Sequence, residues 1–267
     1  MFGIIRLAGG IAVVAGIVAV IEWPLPAAAA DHDNLEEGLP VVIEDAFPIA
    51  YRGREVQGLV RYDNLDDDPD GNHLFTLEPR FEFGAFRNFQ AEIRVPYRVG
   101  SAEEAETGEA AVEGLYNFNA ETLTLPAFAL KAGVGVPFGP DTQGAETTLK
   151  AILTKTVGET WLNRKIHLNA SWLHKFDAMD DERDDRYALA FGYSQPLRAD
   201  LLLVADIVRE QELEEDKAIN LVEAGLRWQM TPLTVLTAGV GAGFGPDSPD
   251  VRATIGFQHA LTLVPLY

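Results

Sequence analysis

The most suggestively spaced carboxylates in the chain are Asp66, Asp68 and Asp70, which alternate ahead of Gly71. This is the spacing of the first half of a calcium-binding loop, where oxygen atoms at alternate positions bind the ion. The twelfth position holds Leu77 instead of a glutamate, and no helical pattern flanks the segment. The sequence therefore predicts a solvated acidic loop here and no metal site.

Serine and histidine also occur close together. His167 and Ser171 share one face of a strand-like segment, but four residues along a strand correspond to roughly 13 Å, beyond hydrogen-bond reach. The chain has neither a G-x-S-x-G nor an H-E-x-x-H motif, and it contains no cysteine. Thiolate nucleophiles, thiolate metal sites and disulfides are thereby excluded. We predict that the protein is not an enzyme and requires no cofactor.

The net charge limits the possible partners. The 267 residues include 41 acidic and 21 basic side chains, which gives a formal charge of -20. Nucleic-acid binding depends on lysine and arginine neutralising phosphates, so a nucleic-acid partner is disfavoured.

The first thirty residues have the three parts of an export signal. Arg6 supplies the positive charge, Leu7 to Ile21 is apolar, and Ala28 to Ala30 offers a cleavage site. The alternative is a membrane anchor, but a spanning helix needs about 20 apolar residues, and this run is shorter. We predict a cleaved signal peptide over residues 1–30 and export of the mature chain.

Later segments alternate apolar and polar residues with a period of two. Between Lys165 and Lys175, for example, Leu168 and Trp172 share one parity, and His167 and Asn169 share the other. Successive side chains of a strand point to opposite faces, so one face is apolar and the other polar. A soluble sandwich and a membrane barrel both use this pattern.

The connections between these segments favour the barrel. About twelve segments follow residue 53, an even number as in bacterial outer-membrane barrels, and long acidic loops alternate strictly with short turns. The short turns are expected at Ala85-Phe86, 120–123, Gly158, Leu197-Arg198 and 230–232. We predict an all-β, up-and-down antiparallel transmembrane β-barrel over residues 53–267, with residues 31–52 as a periplasmic tail or partial plug. The long loops would be external, with acidic residues Asp66, Asp68, Asp70, Asp180, Asp181 and Asp184.

Charged side chains of both signs occupy the parity opposite the apolar one, and we expect them to line the lumen as a paired network. These residues are Glu55, Arg61, Glu78, Arg80, Glu82, Glu92, Arg94, Arg98, Lys165, His167, Glu223 and Arg227. Glycines of the same parity recur in two similar stretches, 132–142 and 238–248. They indicate either a shared hairpin solution or a smooth lumenal wall along which a substrate passes.

Two further features bear on the barrel. Pro79 and Pro96 fall inside adjacent strands and remove ladder donors, so we expect β-bulges there. The chain ends in the aromatic Tyr267, with Leu263 at matching parity, which is similar to the terminal signal that outer-membrane assembly machinery recognises. Pro265 and His259 depart from that signal.

Two stretches resemble one known family. They are Gly38-Leu-Pro-Val-Val-Ile-Glu44-Asp45-Ala46, continuing to Gln57, and Leu77-Glu-Pro79-Arg-Phe-Glu-Phe83-Gly84, continuing through Asn88 and Glu92 to Tyr97. Both are similar to the family called MetA-pathway of phenol degradation. The resemblance implies an outer-membrane barrel proposed to pass small, often aromatic, compounds, and it makes both prolines family features.

The sequence predicts a protein of the Gram-negative outer membrane that contacts lipid and lipopolysaccharide. The favoured function is a porin-like channel for small cations or small hydrophobic or aromatic molecules, crossing by passive diffusion. The alternatives are a closed, salt-bridged barrel with an envelope role and, less favoured, an outer-membrane enzyme. Bridges across the barrel axis would indicate the closed form.

Overall fold

The computed structural model describes residues 30–65, 72–102, 105–140, 142–158, 163–179 and 182–261. The strands are β1 Arg54–Asn64, β2 His73–Phe86, β3 Phe89–Arg94, β4 Tyr97–Gly100, β5 Gly108–Asn119, β6 Ala127–Phe138, β7 Glu146–Val157, β8 Arg164–Lys175, β9 Asp185–Arg198, β10 Leu201–Gln211, β11 Ala218–Thr231, β12 Thr234–Gly243 and β13 Val251–Ala260. None of the described ranges holds a helix long and apolar enough to cross a membrane.

The strands form one closed antiparallel sheet. Strands that follow one another in sequence pair with each other, except β3 and β4, and β1 pairs with β13, with Val60 opposite Ile255. β3 and β4 both lie between β2 and β5, so they are two halves of one wall strand and the thirteen segments make twelve wall strands. The predicted fold, an up-and-down antiparallel barrel of about twelve strands, is confirmed. Closure leaves no unpaired sheet edge.

The two prolines produce a strand break instead of the expected bulges. Pro79 lies in uninterrupted register opposite Gly58 of β1. On its other side, Pro79 accepts a hydrogen bond from Val95 N (3.1 Å), and Pro96 separates β3 from β4. The register on either side of the break is the same, with Arg80 opposite Arg94. The missing donors therefore occur together in one break.

The short turns differ from those predicted. Ala85 and Phe86 belong to β2, and the hairpin turn is Arg87-Asn88, where Asn88 adopts a φ of 62° that asparagine tolerates well. Turns at Ala199-Asp200 and Pro232-Leu233 lie close to the expected positions. The connection between β5 and β6, residues 120–126, and the one between β7 and β8, residues 158–163, are longer than expected. Long and short connections therefore do not alternate strictly. We call the rim that carries these five connections the short-turn rim, and the opposite one the long-loop rim.

Glu121 holds the longer turn 120–126 in place. Its carboxylate accepts hydrogen bonds from Lys155 Nζ (2.7 Å) and from the backbone N of Thr156 (2.7 Å). Partial burial acts to raise the pKa of Glu121, but these bonds outweigh it and the pKa is lowered. The turn is thus tied to the end of β7 by a charged side chain, which the local sequence pattern does not reveal.

The outer face of the barrel is a continuous apolar surface. Large apolar side chains alternate outward along the strands and remain exposed, for example Leu189 (53%) and Ile255 (61%). A soluble protein rarely exposes so much contiguous apolar area. The outward row of residues on each strand is therefore the surface expected to face lipid.

Two tryptophans lie where this apolar surface meets polar residues. At the long-loop rim, Trp172 Nε1 donates to Asp185 Oδ1 (2.9 Å). At the short-turn rim, Trp228 Nε1 donates to Asp200 Oδ2 (3.2 Å). Indole rings combine an apolar body with a polar N–H, which suits a membrane interface.

Replacing Leu168 by arginine should destabilise the barrel. Leu168 points outward from the middle of β8, opposite Leu153 and Phe191. An arginine at the bilayer midplane costs about 2–4 kcal/mol, and one near the interface about 0–1 kcal/mol. The matched control is Leu197→Arg, at the exposed end of β9 near the short-turn rim. Unfolding titrations in lipid vesicles would show a much larger loss for Leu168→Arg, whereas equal losses would contradict a lipid-facing surface.

Candidate functional site in the barrel lumen

The interior of the barrel is occupied by the segment that precedes β1. Residues 30–50, called the plug below, enter from the short-turn rim and join β1 through Tyr51 and Arg52. Most plug residues are buried although they form no strand. Leu39 and Ile43 are each 1% exposed.

Asp45 closes the plug into a compact loop. Its carboxylate accepts hydrogen bonds from Leu35 N (3.0 Å) and Phe47 N (2.9 Å), and its own N donates to Leu35 O (3.1 Å). The two ends of the loop therefore meet at one side chain. The intervening residues, 36–44, project into the barrel.

Side chains of the wall satisfy the plug's backbone. Ile43 N donates to Asp206 Oδ2 (2.8 Å), Ala46 N to Thr154 Oγ1 (3.0 Å) and Ile49 N to Gln90 Oε1 (2.8 Å). The side-chain amide of Asn169 satisfies both backbone groups of Glu44, because it accepts a hydrogen bond from Glu44 N (2.9 Å) and donates one to Glu44 O (2.9 Å). Buried amides need such partners, and here the sheet ladder is unavailable to them.

Arg227 binds the first half of the plug. This side chain, from β11, is fully buried and donates to the carbonyl oxygens of Leu39 (2.6 Å), Asn34 (2.6 Å) and His32 (2.9 Å). It also donates to Gln258 Oε1 (2.8 Å). The guanidinium presents five donors in a fixed plane, so one residue can hold several carbonyls of a curved segment.

Two lysines bind the second half. Glu44 is 1% exposed, and its carboxylate contacts Lys131 Nζ (3.1 Å) on β6 and Lys150 Nζ (3.0 Å) on β7. Lys131 also contacts Glu113 (2.9 Å) and Glu92 (3.1 Å) on the wall. The plug supplies a second carboxylate to this network, because Glu37 contacts Lys150 Nζ at 2.5 Å.

Glycines of the wall make room for the plug. A β-carbon at Gly192 would lie 2.6 Å from Ile43 Cγ1, one at Gly256 would lie 2.4 Å from Leu39 Cδ2, and one at Gly225 would lie 2.3 Å from a carbon of Pro40. Together with the hydrogen bonds above, these contacts reach wall strands on every side of the interior. The plug therefore crosses the whole section of the barrel.

The glycines of the two similar stretches are not a bare wall. A β-carbon at Gly133 or Gly241 would meet the Cγ of Glu113 (2.5 Å) or Glu223 (2.7 Å), and one at Gly239 would meet Pro40. Their small size lets a glutamate from the neighbouring strand, or the plug, lie flat against the sheet.

Most residues predicted to line the lumen point into the barrel. The buried ones are Glu55, Glu78, Arg80, Glu82, Glu92, His167, Glu223 and Arg227. Arg61, Arg94 and Lys165 are half-buried, whereas Arg98 lies on β4 towards the long-loop rim and is exposed. Of the predicted loop acids, Asp184 is exposed, and Asp66, Asp68, Asp70, Asp180 and Asp181 lie outside the described residues, as do residues 1–29 and the terminal residues 262–267.

Among the described residues, ion pairs between two wall side chains run along the wall and not across the axis. Arg80 contacts Glu78 on its own strand (2.5 Å), and Arg94 contacts Glu113 on the neighbouring strand (3.0 Å). Near the long-loop rim, Arg252 pairs with Asp63 of the adjacent β1 (2.5 Å). The expected sign of a closed barrel, bridges across the lumen, is replaced by a separate segment that fills it.

Histidine 167 has a serine partner that its own strand does not reveal. His167 Nε2 lies 3.0 Å from Ser194 Oγ on β9, and Nδ1 lies 3.1 Å from Thr154 Oγ1 on β7. Thr154 Oγ1 in turn accepts a hydrogen bond from Ala46 N of the plug. All three side chains are at most 1% exposed, and a threonine takes the place of an orienting carboxylate. These hydrogen bonds form a chain that holds Thr154 in position to bind the plug backbone.

Several lumenal residues were missed by the sequence analysis. Lys131, Lys150 and Asp206 all have inward parity on strands that are otherwise rich in apolar or small residues. A polar residue at an inward position of such a strand was the available signal. Their common partner, the plug, could not be read from it.

Structural comparison finds outer-membrane barrels. The COG4313 outer membrane channel from Pseudomonas putida F1 superposes with a TM-score of 0.63 at 9% identity, covering 85% of this chain and all (100%) of that one. The KdgM porin (0.52, 11% identity) and the NanC porin (0.53, 12% identity) each cover 78% of this chain and 99% and 100% of their own. No family model and no curated protein sequence matches the chain. These similarities establish the fold.

Replacing Arg227 by methionine should loosen the plug. Hydrogen bonds from a charged donor contribute about 1.5–3 kcal/mol each, and Arg227 makes several to the plug backbone. The chain has no cysteine, so a single Ala46→Cys substitution reports plug exposure through maleimide labelling. We expect labelling at least about tenfold faster with Arg227→Met, since 1.4 kcal/mol corresponds to a factor of ten. The control is Arg198→Met, which removes only an exposed pair with Asp200. Equal labelling of both variants would contradict the anchoring role.

Proposed function

We propose that this protein is an outer-membrane channel for small molecules whose lumen is closed by its own N-terminal plug. The observation that carries the proposal is that the interior is filled by one segment outside the sheet instead of by bridging wall side chains. Displacement of the plug would leave a passage lined by inward-facing polar and charged residues. The similarity to channel and porin barrels supports this reading.

The outer face supports the membrane location. Exposed apolar side chains surround the barrel between the two tryptophan positions, as expected for a wall in contact with lipid. With the short-turn rim on the periplasmic side, the plug is reached from the periplasm and the acidic loops face lipopolysaccharide outside. The signal peptide predicted over residues 1–30 supports export of the chain.

The permeants we propose are small cations and small neutral molecules, including aromatic ones, crossing by passive diffusion. The resemblance to the MetA-pathway of phenol degradation family supports aromatic compounds. The same residues that carry that resemblance, Gly38 to Ala46, form the centre of the plug. The interior carries both signs of charge, and the predicted external loops are acidic, so anions are the disfavoured class.

A second candidate function is a permanently closed barrel with an envelope role. It is favoured by the contacts of the plug with wall strands all round the interior and by its buried ion pairs. The two functions differ in one property, whether the plug leaves the lumen.

A disulfide between plug and wall should block conduction. A β-carbon at Gly192 would lie 3.0 Å from Ile43 Cβ. A disulfide needs roughly 3.5–4.5 Å between its two β-carbons, so the plug must move away from the wall by about 0.5 Å to form it. We expect the variant Ile43→Cys/Gly192→Cys in planar bilayers to conduct under reducing conditions and to close when oxidised.

The single variants Ile43→Cys and Gly192→Cys are the controls, because oxidation cannot cross-link either. Conduction that persists in the oxidised double variant would contradict a path through the plugged lumen. Absence of conduction in every protein at any voltage would favour the closed barrel.

Neutralising the acidic residues of one external loop should weaken cation preference. We choose Asp177→Asn, Asp180→Asn, Asp181→Asn and Asp184→Asn together, and retain Asp185 because it binds Trp172 and His174. Clustered carboxylates concentrate cations at a pore mouth, and salt screens this effect. Reversal potentials across a salt gradient should shift towards zero, most at low salt, with unchanged thermal stability. Anion selectivity of the native protein would contradict the permeant assignment.

A further inference from the structure

Three buried carboxylates meet where the plug contacts β2 and β3. Glu36 comes from the plug, Glu82 from β2 and Glu92 from β3, and they are 2%, 0% and 2% exposed. One oxygen from each lies within 4.8 Å of the other two. This cluster, called the carboxylate cluster below, joins the plug to the wall.

Hydrogen-bond donors around the cluster reach some of its carboxylate oxygens and not others. Glu36 accepts from Asn34 Nδ2 (3.2 Å), and Glu92 Oε2 accepts from Lys131 Nζ (3.1 Å). Among the described residues, no donor makes a hydrogen bond to either oxygen of Glu82 or to Oε1 of Glu92. Glu82 is thus fully buried and points into the cluster, where its hydrogen-bond contact is the carboxyl group of Glu36, which can donate only if one of the two groups keeps a proton.

Nearby basic side chains are already engaged. Lys131 is shared by Glu44, Glu92 and Glu113. Arg80 contacts Glu78 at 2.5 Å and lies 3.9 Å from Glu92. A buried carboxylate without a partner is strongly unfavourable, so the cluster needs a bound cation or must retain protons.

We propose that Glu36, Glu82 and Glu92 bind a divalent cation, of which Ca²⁺ fits best. Ligand oxygens lie about 2.3–2.6 Å from Ca²⁺, so two oxygens on opposite sides of the ion are at most roughly 5 Å apart. The three oxygens lie within 4.8 Å of one another, which is inside this limit. All three ligands are hard oxygen donors, with neither histidine nor cysteine among them, and water would complete the coordination.

The site would fasten the plug to the wall. Glu36 is the plug's ligand, whereas Glu82 and Glu92 belong to adjacent strands, so the ion would bridge a movable element and a fixed one. Removal of Ca²⁺ would then ease opening of the channel, and only this consequence rests on the proposed channel function. Binding itself does not depend on conduction.

Calorimetric titration of Ca²⁺ into the chelator-treated, full-length barrel in detergent tests the site. We expect saturable binding that weakens by about tenfold or more in Glu82→Gln, because ligand charge sets the affinity of such sites. Glu36→Gln should have the same effect, and as a plug residue it leaves the wall intact. Glu109→Gln, an inward carboxylate outside the cluster, is the control and should bind as the native protein does.

Labelling of Ala46→Cys gives a second readout. Chelation should speed labelling in the otherwise native protein and have no effect in Glu82→Gln. Absence of Ca²⁺ binding, or binding that Glu82→Gln and Glu36→Gln leave unchanged, would overturn the proposal and assign shared protons to the cluster. Binding in a barrel that never conducts would uphold the site and reject only the channel function.

Discussion

The structure depends on one constraint, that backbone polar groups removed from water must find partners. The wall meets it by closing β1 onto β13, which leaves no free edge. The plug cannot join that ladder, so its backbone groups form hydrogen bonds with wall side chains such as Asp206, Thr154 and Arg227. The polar side chains of the interior are therefore placed to supply the hydrogen-bond partners that the plug backbone lacks.

The charges inside the barrel follow the same logic. Lys131 and Lys150 balance Glu44 of the plug, and their network continues into wall glutamates. Buried pairs of this kind add little net stability, but removing one partner is costly because an uncompensated charge remains. Such a network favours one position of the plug over others. Release of the plug would require water to solvate these groups.

Glycine placement links the wall to the plug. Gly192, Gly225 and Gly256 leave space into which Ile43, Pro40 and Leu39 fit. Any larger residue at these positions would push the plug from the wall. The inward row combines polar side chains, glycines and apolar side chains such as Val204 and Leu221 that pack against the plug. The outward row is apolar through the middle of the strands and carries polar residues such as Arg209 near their ends.

The sequence by itself determined the fold and the two faces of the wall, because strand alternation has a period of two and is set by neighbouring residues. It thus placed Leu168 outside and Glu82 and Arg227 inside. Only the tertiary structure decided what the inward residues meet. The pairing of His167 with Ser194, the plug's contacts with Asn169, and the meeting of Glu36 with Glu82 join residues far apart in the chain. Such contacts depend on barrel closure and on where the plug enters, and no local pattern encodes either.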